Sequence, residues 1–265
     1  MNLMRAGTPA GTSLRLAVVS DIHGNLPALQ AVLDDVARRG CDLLLDCGDR
    51  LSGPLWPAET ARLLRSLDPP AVCGNHDRQL LACAQGPGDA ADMLAYAELD
   101  TATLDWLRTL PPVLWPVPGV AMVHGRPDSD LEYLLETVTP DAGRAGVRMA
   151  HDARIRERLR GVGEAAQLVL CGHSHQPRVV RVDSTLVVNP GSVGLPAFDD
   201  THGGAHCIEC GSPHARYALC ERRGGRWSAA LVAVDYDWEA AAARALQRGM
   251  PDWAGWLRTG RACPP

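Results

Sequence analysis

The chain has 265 residues, 46% of them hydrophobic and 22% charged, with a formal net charge of −5. That length buries a sizeable core, and the composition is far from that of a disordered segment. An acidic balance gives no basic footprint for long DNA or RNA, so no long nucleic-acid partner is expected, while short or mononucleotide substrates stay open.

The first stretch, "MNLMRAGTPAGTSLRLAVVS", holds no apolar run of signal-peptide length, and no run anywhere reaches membrane-spanning length. The expectation is a soluble cytoplasmic protein without a membrane partner. Nine cysteines are present, and Cys41, Cys47, Cys73 and Cys171 sit in or beside apolar strand-like segments, which reads as reduced core thiols rather than a disulfide framework.

In chain order, "LRLAVVS" predicts a strand, and "LPALQAVLDDVARRG" carries apolar residues at helical spacing and closes on Gly40. "DLLLDCGD" predicts the next strand, "PAETARLLRSL" a helix, and "PAVCGNHD" a third strand running into a loop. This βαβαβ order signals a largely parallel sheet covered by helices, with ligands bound beyond the carboxyl ends of the strands. "AQGPGDAAD" reads as a loop insertion, followed by a helix near Glu98 to Thr109, a strand "GVAMVHG", and helices over Asp130 to Leu135 and His151 to Arg160. Strands recur at "AQLVLCG", "RVVRVD" and "TLVVNPGS", then a hairpin turning at Gly224 and Gly225, a helix "WEAAAARALQRG" and a short tail. With no repeat and no low-complexity linker, one domain over 1–265 is the simplest reading, its motif core at about 16–195 and a C-terminal hairpin and helices over 196–265.

Metal-capable side chains gather at the predicted strand ends. The first ends in "SDIHGN" with Asp21 and His23, the second in Gly48-Asp49, and the third in "GNHD" with Asn75, His76 and Asp77. Later strands end in "VHG" at His124 and "CGHSHQP" with His173 and His175. On an extended backbone alternate side chains share a side, so His173 and His175 are expected to converge on one point. Singly, each residue has an ordinary reading as a turn or cap residue. Such readings at five strand ends together require a coincidence. Oxygen and imidazole donors without thiolate suit Mn, Fe, Zn, Co or Ni.

"SDIHGN", "CGD", "CGNHD", "VHG" and "CGHSH", in this order, resemble the motifs of calcineurin-like metallophosphoesterases, and "NPGSVG" with "VDYD" resembles the small bacterial and archaeal phosphodiesterase branch. The resemblance implies an α/β fold, a four-layer α/β/β/α sandwich, with two divalent metals at one end, manganese the first choice. It implies that Asp21, His23, Asp49 and His175 hold one metal and Asp49, Asn75, His124 and His173 the other, with Asp49 bridging. Two such ions about 3.5–4 Å apart clamp a phosphoryl group and turn a shared water into hydroxide, so no Ser or Cys nucleophile is needed. His76 is then the expected proton donor to the departing alkoxide, with Asp77 orienting it through a carboxylate–imidazole hydrogen bond.

The expected substrate is a small phosphoester, a nucleotide among the candidates, and a diester ahead of a monoester. A protein or dinucleoside-polyphosphate phosphatase with the same motifs stays open, as does homo-oligomerisation. A noncatalytic scaffold, the role of a retromer subunit with this fold, usually shows eroded ligands, which are intact here. A nuclease is disfavoured by the acidic balance. Asn25 is expected to cap the helix at Leu26, and Arg50 and Arg126 either steer phosphate or face solvent. "HGGAHCIECGSPH" lies outside the resemblance: His206, Cys207, Cys210 and His214 make either a small zinc site or a surface loop.

Overall fold

The computed structural model describes residues 13–141, 144–162 and 165–262. Strand β1 (Leu14–Val19) leads through α1 (Leu26–Arg39) to β2 (Leu43–Asp46), followed by α2 (Pro57–Leu67), α3 (Asn75–Ala82), α4 (Ala90–Tyr96) and α5 (Thr101–Arg108). Next come β3 (Val113–Val117), β4 (Val120–Val123), β5 (Glu136–Asp141), β6 (Arg144–Met149), α6 (Asp152–Arg158), β7 (Leu168–Leu170), β8 (Arg178–Val182) and β9 (Thr185–Asn189). The chain continues with β10 (Ala197–Asp200), β11 (His206–Glu209), β12 (Ala215–Arg223), β13 (Arg226–Val234), α7 (Trp238–Gln247) and α8 (Pro251–Thr259). No helix among the described residues is long and apolar enough to cross a membrane.

Two sheets carry the architecture, one in the order β13-β12-β1-β2 and the other β3-β4-β7-β9-β8. Alternation along β1 shows how they stack. Leu14, Leu16 and Val18 face the second sheet in a core shared with Met122, Leu170 and Val188, whereas Ala17 and Val19 face the opposite way onto Leu29 and Val32 of α1 and Leu64 of α2. On the far side of the second sheet, Val123, Val169 and Val187 pack against Leu134, Leu135 and Ile155 of α6. The layers are therefore α/β/β/α, as the motif resemblance implied. β1 pairs in parallel with β2, and β4 with β7 and β7 with β9, so the carboxyl ends of these strands open at one edge.

Several local expectations give way to the structure. The third strand shrinks to one bridge between Asp46 and Ala71, because Pro69 and Pro70 just before it offer no backbone N–H for a ladder. Residues 130–135 are not helical but form a loop into β5. The segment read as a loop insertion contains the start of α4, capped by Asp89, whose carboxylate accepts from Ala91 N at 2.8 Å. The tail is helix α8, which packs Trp253, Ala254 and Leu257 onto α7. The hairpin over β12 and β13 turns at Gly224 and Gly225, and β12 also pairs antiparallel with β1.

Arg50 neither faces solvent nor reaches a phosphate. It is 1% exposed, with Nε 2.8 Å from Asp46 Oδ2 and its guanidinium 4.6 Å over the Trp106 ring. Removing one partner of a buried pair strands the other's charge. Arg50→Met is expected to lower the unfolding free energy by about 3–5 kcal/mol in denaturant titration, and Arg50→Met/Asp46→Asn to recover part of it. Equal loss in both variants contradicts the pairing.

Candidate metal centre

The first sheet delivers Asp21 and His23 from the turn after β1 and Asp49 from the turn after β2; the second delivers His124 after β4 and His173 and His175 after β7. Asn75 opens α3. Backbone bonds carry the ladder into these turns: Asp21 N donates to Gly48 O at 2.9 Å, His23 N to Asp49 O at 3.1 Å, and Gly172 N to His124 O at 2.8 Å. Asp21, His23, Asp49, His173 and His175 all take the left-handed conformation, five of the seven non-glycine residues described with positive φ. Each such residue costs of order 1 kcal/mol, so the turns are held by their surroundings. Gly74 and Gly172 allow the close approach: a Cβ would collide with the Asp49 carboxylate at Gly74 and with the Ser20 hydroxyl at Gly172.

The side chains form two adjacent groups, Asp21 with His23 and His175, and Asp49 with His124 and His173. Left-handed turns replace the extended backbone expected of "GHSH", so His173 and His175 do not converge; each joins a different group. The groups approach at Asp21 Oδ1, 3.2 Å from His175 Nε2 and 3.9 Å from His124 Nε2. Asn75 Oδ1 lies 3.0 Å from His124 Nε2, and Asp49 Oδ2 3.1 Å from the same atom.

Each imidazole is braced from behind. Nδ1 of His23 meets Ser52 O at 3.0 Å, Nδ1 of His124 meets Cys47 O at 2.7 Å, Nδ1 of His175 meets Leu195 O at 2.6 Å, and Nε2 of His173 meets Leu131 O at 3.0 Å. A carbonyl only accepts, so the braced nitrogen carries the proton and the other nitrogen turns its lone pair inward. His23 Nε2 and His175 Nε2 consequently face each other at 3.3 Å, two acceptors that a shared cation satisfies. The donor set of imidazoles, carboxylates and one amide fits a first-row divalent ion.

Electrostatics agree with that fit. Burial and the neighbouring His175 push His23 down to about 3, and burial and the neighbouring His124 push His173 down to about 4, so both stay neutral and ready to ligate. Burial alone disfavours charge on Asp49 and Asp21, yet His124 holds the Asp49 carboxyl well below the usual range and His175 lowers that of Asp21. Burial likewise opposes charge on His124, but Asp49 beside it lifts His124 to about 10, so without a cation its inward nitrogen carries a proton that a bound metal would displace.

His76 lines the same cavity, of about 710 Å³. The carboxylate that orients it is Asp92, 1% exposed, whose Oδ1 accepts from His76 Nδ1 at 3.1 Å. Although burial works against the imidazolium, the Asp92 hydrogen bond and the Asp49 charge raise His76 to about 9. Asp77, expected in that orienting role, is spent elsewhere: it accepts from the backbone N–H of Asp49, Arg50 and Gly74 at 2.9, 3.1 and 3.0 Å, clamping the Asp49 turn to the start of α3. The readable sign of Asp92 is apolar spacing at Ala91, Leu94 and Ala95, which marks a helix.

Residues 14–211 match the calcineurin-like phosphoesterase superfamily domain. The chain belongs to this superfamily. An uncharacterized protein of Methanocaldococcus jannaschii is 25% identical over 261 residues, covering 91% of this chain and 95% of that one. Similar solved structures include a metallophosphoesterase from Sphaerobacter thermophilus, with TM-score 0.70, 23% identity, and 94% of this chain and 100% of that one covered. A hypothetical protein from Pyrococcus horikoshii follows with TM-score 0.69, 19% identity, and 94% and 100% covered. As a metallophosphoesterase the protein is a metal-dependent hydrolase of phosphoester bonds.

Beyond the metallophosphoesterase motifs, Asn25 caps α1 by accepting from Ala28 N at 3.3 Å, and its amide donates to Gly194 O at 2.9 Å and Tyr236 Oη at 3.1 Å. "NPGSVG" and "VDYD" are thus tied to the first ligand turn. Arg126 is engaged by Asp128 through two bonds of 3.0 and 2.7 Å. His206, Cys207, Cys210 and His214, read as either a zinc site or a surface loop, belong to neither group of metal-capable side chains among the described residues, and Cys207 is disulfide-bonded. His206 donates from Nδ1 to Gly204 O and accepts from the Tyr133 hydroxyl, both at 2.7 Å, while the Cys210 thiol donates to His175 O at 3.1 Å. Cys41, Cys47, Cys73 and Cys171 are free thiols, as expected.

A cation that binds only the folded chain raises its stability by mass action. Protein stripped with chelator is expected to melt several degrees lower than after resupply of Mn²⁺, as followed by calorimetry. An unchanged melting temperature contradicts the metal-centre assignment.

Proposed function

We propose that this metallophosphoesterase is a phosphodiesterase working with two adjacent divalent ions, manganese the preferred one, and that the whole chain serves as one catalytic domain. Asp21, His23, Asp49 and His175 would hold one ion and Asp49, Asn75, His124 and His173 the other. The observation that carries this reading is the set of four imidazoles locked by backbone carbonyls so that their inward nitrogens meet two carboxylates across two adjacent groups. When bound, the two ions supply positive charge for the phosphoryl oxygens and a lowered pKa for a shared water.

The chain's own groups complete the reaction. His76, held by Asp92, presents Nε2 to the cavity and gives a proton to the departing alkoxide. Direct attack by water is favoured over a covalent intermediate because burial pushes the Cys73 thiol up to about 12 and those of Cys47 and Cys171 well above the ordinary value, leaving no ready thiolate beside the centre. A diester suits the cavity better than a monoester: its described lining includes carboxylates but no arginine or lysine, so the substrate with less negative charge is the better match.

Chelator-stripped protein resupplied with Mn²⁺ is expected to cleave an aryl phosphodiester faster than the matching monoester, and Asp49→Asn to lose that turnover. Faster monoester cleavage contradicts the diester assignment. His76→Ala should cost about 10²–10⁴-fold with an alkyl leaving group and far less with p-nitrophenolate, which departs without a proton. Asp92→Asn should lose part of that factor with the same leaving-group dependence. A loss independent of the leaving group contradicts the proton-donor role.

A further inference from the structure

We propose that the cavity selects phosphodiesters in which one of the two alcohols carries an organic cation, an ammonium group on a short alkyl chain; this rests on the phosphodiesterase reading above. The wall beside the candidate metal centre is aromatic and apolar, made by Phe198 of β10 with Met250, Trp253 and Trp256 at and within α8. It begins at the imidazoles themselves: the Trp253 ring centroid lies 5.9 Å from that of His23, and the Phe198 centroid 4.6 Å from that of His175. The Trp253 and Trp256 rings are tilted by 40° with centroids 6.2 Å apart, a shallow angle of two indoles. A group attached to a phosphoryl at the centre therefore meets aromatic surface within a short linker's reach.

Charge separates the candidates for that group. Asp89, Asp199, Asp200 and Asp252 line the same cavity, and none of the four has an ion-pair partner among the described residues. Asp199 and Asp252 are exposed, so neither is used in the core. Further phosphates on a substrate would face these carboxylates with no arginine or lysine in the described lining to receive them. An ammonium group is attracted by the carboxylates, and an indole of the lining beside it adds to that attraction, Trp being the strongest aromatic partner for a cation. Met250, Asp252, Trp253 and Trp256 all lie beyond residue 211, where the superfamily match ends, so this side of the cavity is built by the chain's own C-terminal helix rather than by the shared catalytic core.

The test compares p-nitrophenyl phosphorylcholine with p-nitrophenyl ethyl phosphate on Mn²⁺-loaded protein, since the two share a leaving group and differ only in the alcohol retained. The choline ester is expected to have about 10-fold higher kcat/KM, carried by KM, and the ratio to fall toward unity in Asp199→Asn/Asp252→Asn and in Trp256→Leu. Equal efficiency, or preference for the ethyl ester, overturns the proposal, and so does a ratio unmoved by these variants. If neither ester is cleaved, the phosphodiesterase reading fails, and binding decides the subsite alone. Tetramethylammonium chloride should then quench tryptophan fluorescence saturably relative to sodium chloride at equal ionic strength, and less in Asp199→Asn/Asp252→Asn. Absence of saturable quenching overturns the cation subsite as well.

Discussion

The hydrogen bond from the outward nitrogen of each buried histidine to a backbone carbonyl is the contact on which the site depends. Ser52, Cys47, Leu131 and Leu195 supply those carbonyls from different turns. Each bond fixes a tautomer, and the tautomer decides whether the inward nitrogen is a lone pair or a proton. Once a cation displaces the proton that Asp49 holds on His124, four lone pairs beside two carboxylates make a cation site; four protons would make an anion site.

The fold exists to keep those carbonyls and imidazoles in register. Asp21, His23 and Asp49 come from the sheet that contains β1 and β2, whereas His124, His173 and His175 come from the sheet that contains β4 and β7. The two groups of candidate ligands therefore form at the edge of the sandwich, where Leu16 and Val18 of one sheet and Met122 and Leu170 of the other pack tightly behind them. A slip of either sheet would separate Asp21 from His175 or Asp49 from His124. Left-handed turns at five of the ligand positions oppose folding locally, and the sandwich core together with the Asp77 clamp offsets that strain.

How much could be read beforehand varies with the kind of signal. Strand ends rich in Asp, His and Asn are local features, so the seven candidate ligands were legible one by one, and the two hydrophobic alternations that define the sheets were equally plain. The backbone conformation of "GHSH" was not, because left-handed turns at His173 and His175 are imposed by the sheets around them. Asp92 was hidden for a related reason: its partner His76 lies on a different helix, and no spacing rule connects them. Pro69 and Pro70 were visible, and their missing donors are enough to reduce the expected third strand to a bridge. The cavity wall from α8 required the tertiary structure, since nothing in "PDWAGWLRTG" says which face of that helix meets His23.

The most direct test of the central claim is electron paramagnetic resonance of the stripped protein titrated with Mn²⁺. Two ions held in the two adjacent groups, with Asp49 between them as proposed, should give the exchange-coupled spectrum of a manganese pair as the second equivalent binds. Spectra of isolated, uncoupled ions at every stoichiometry would contradict the binuclear centre.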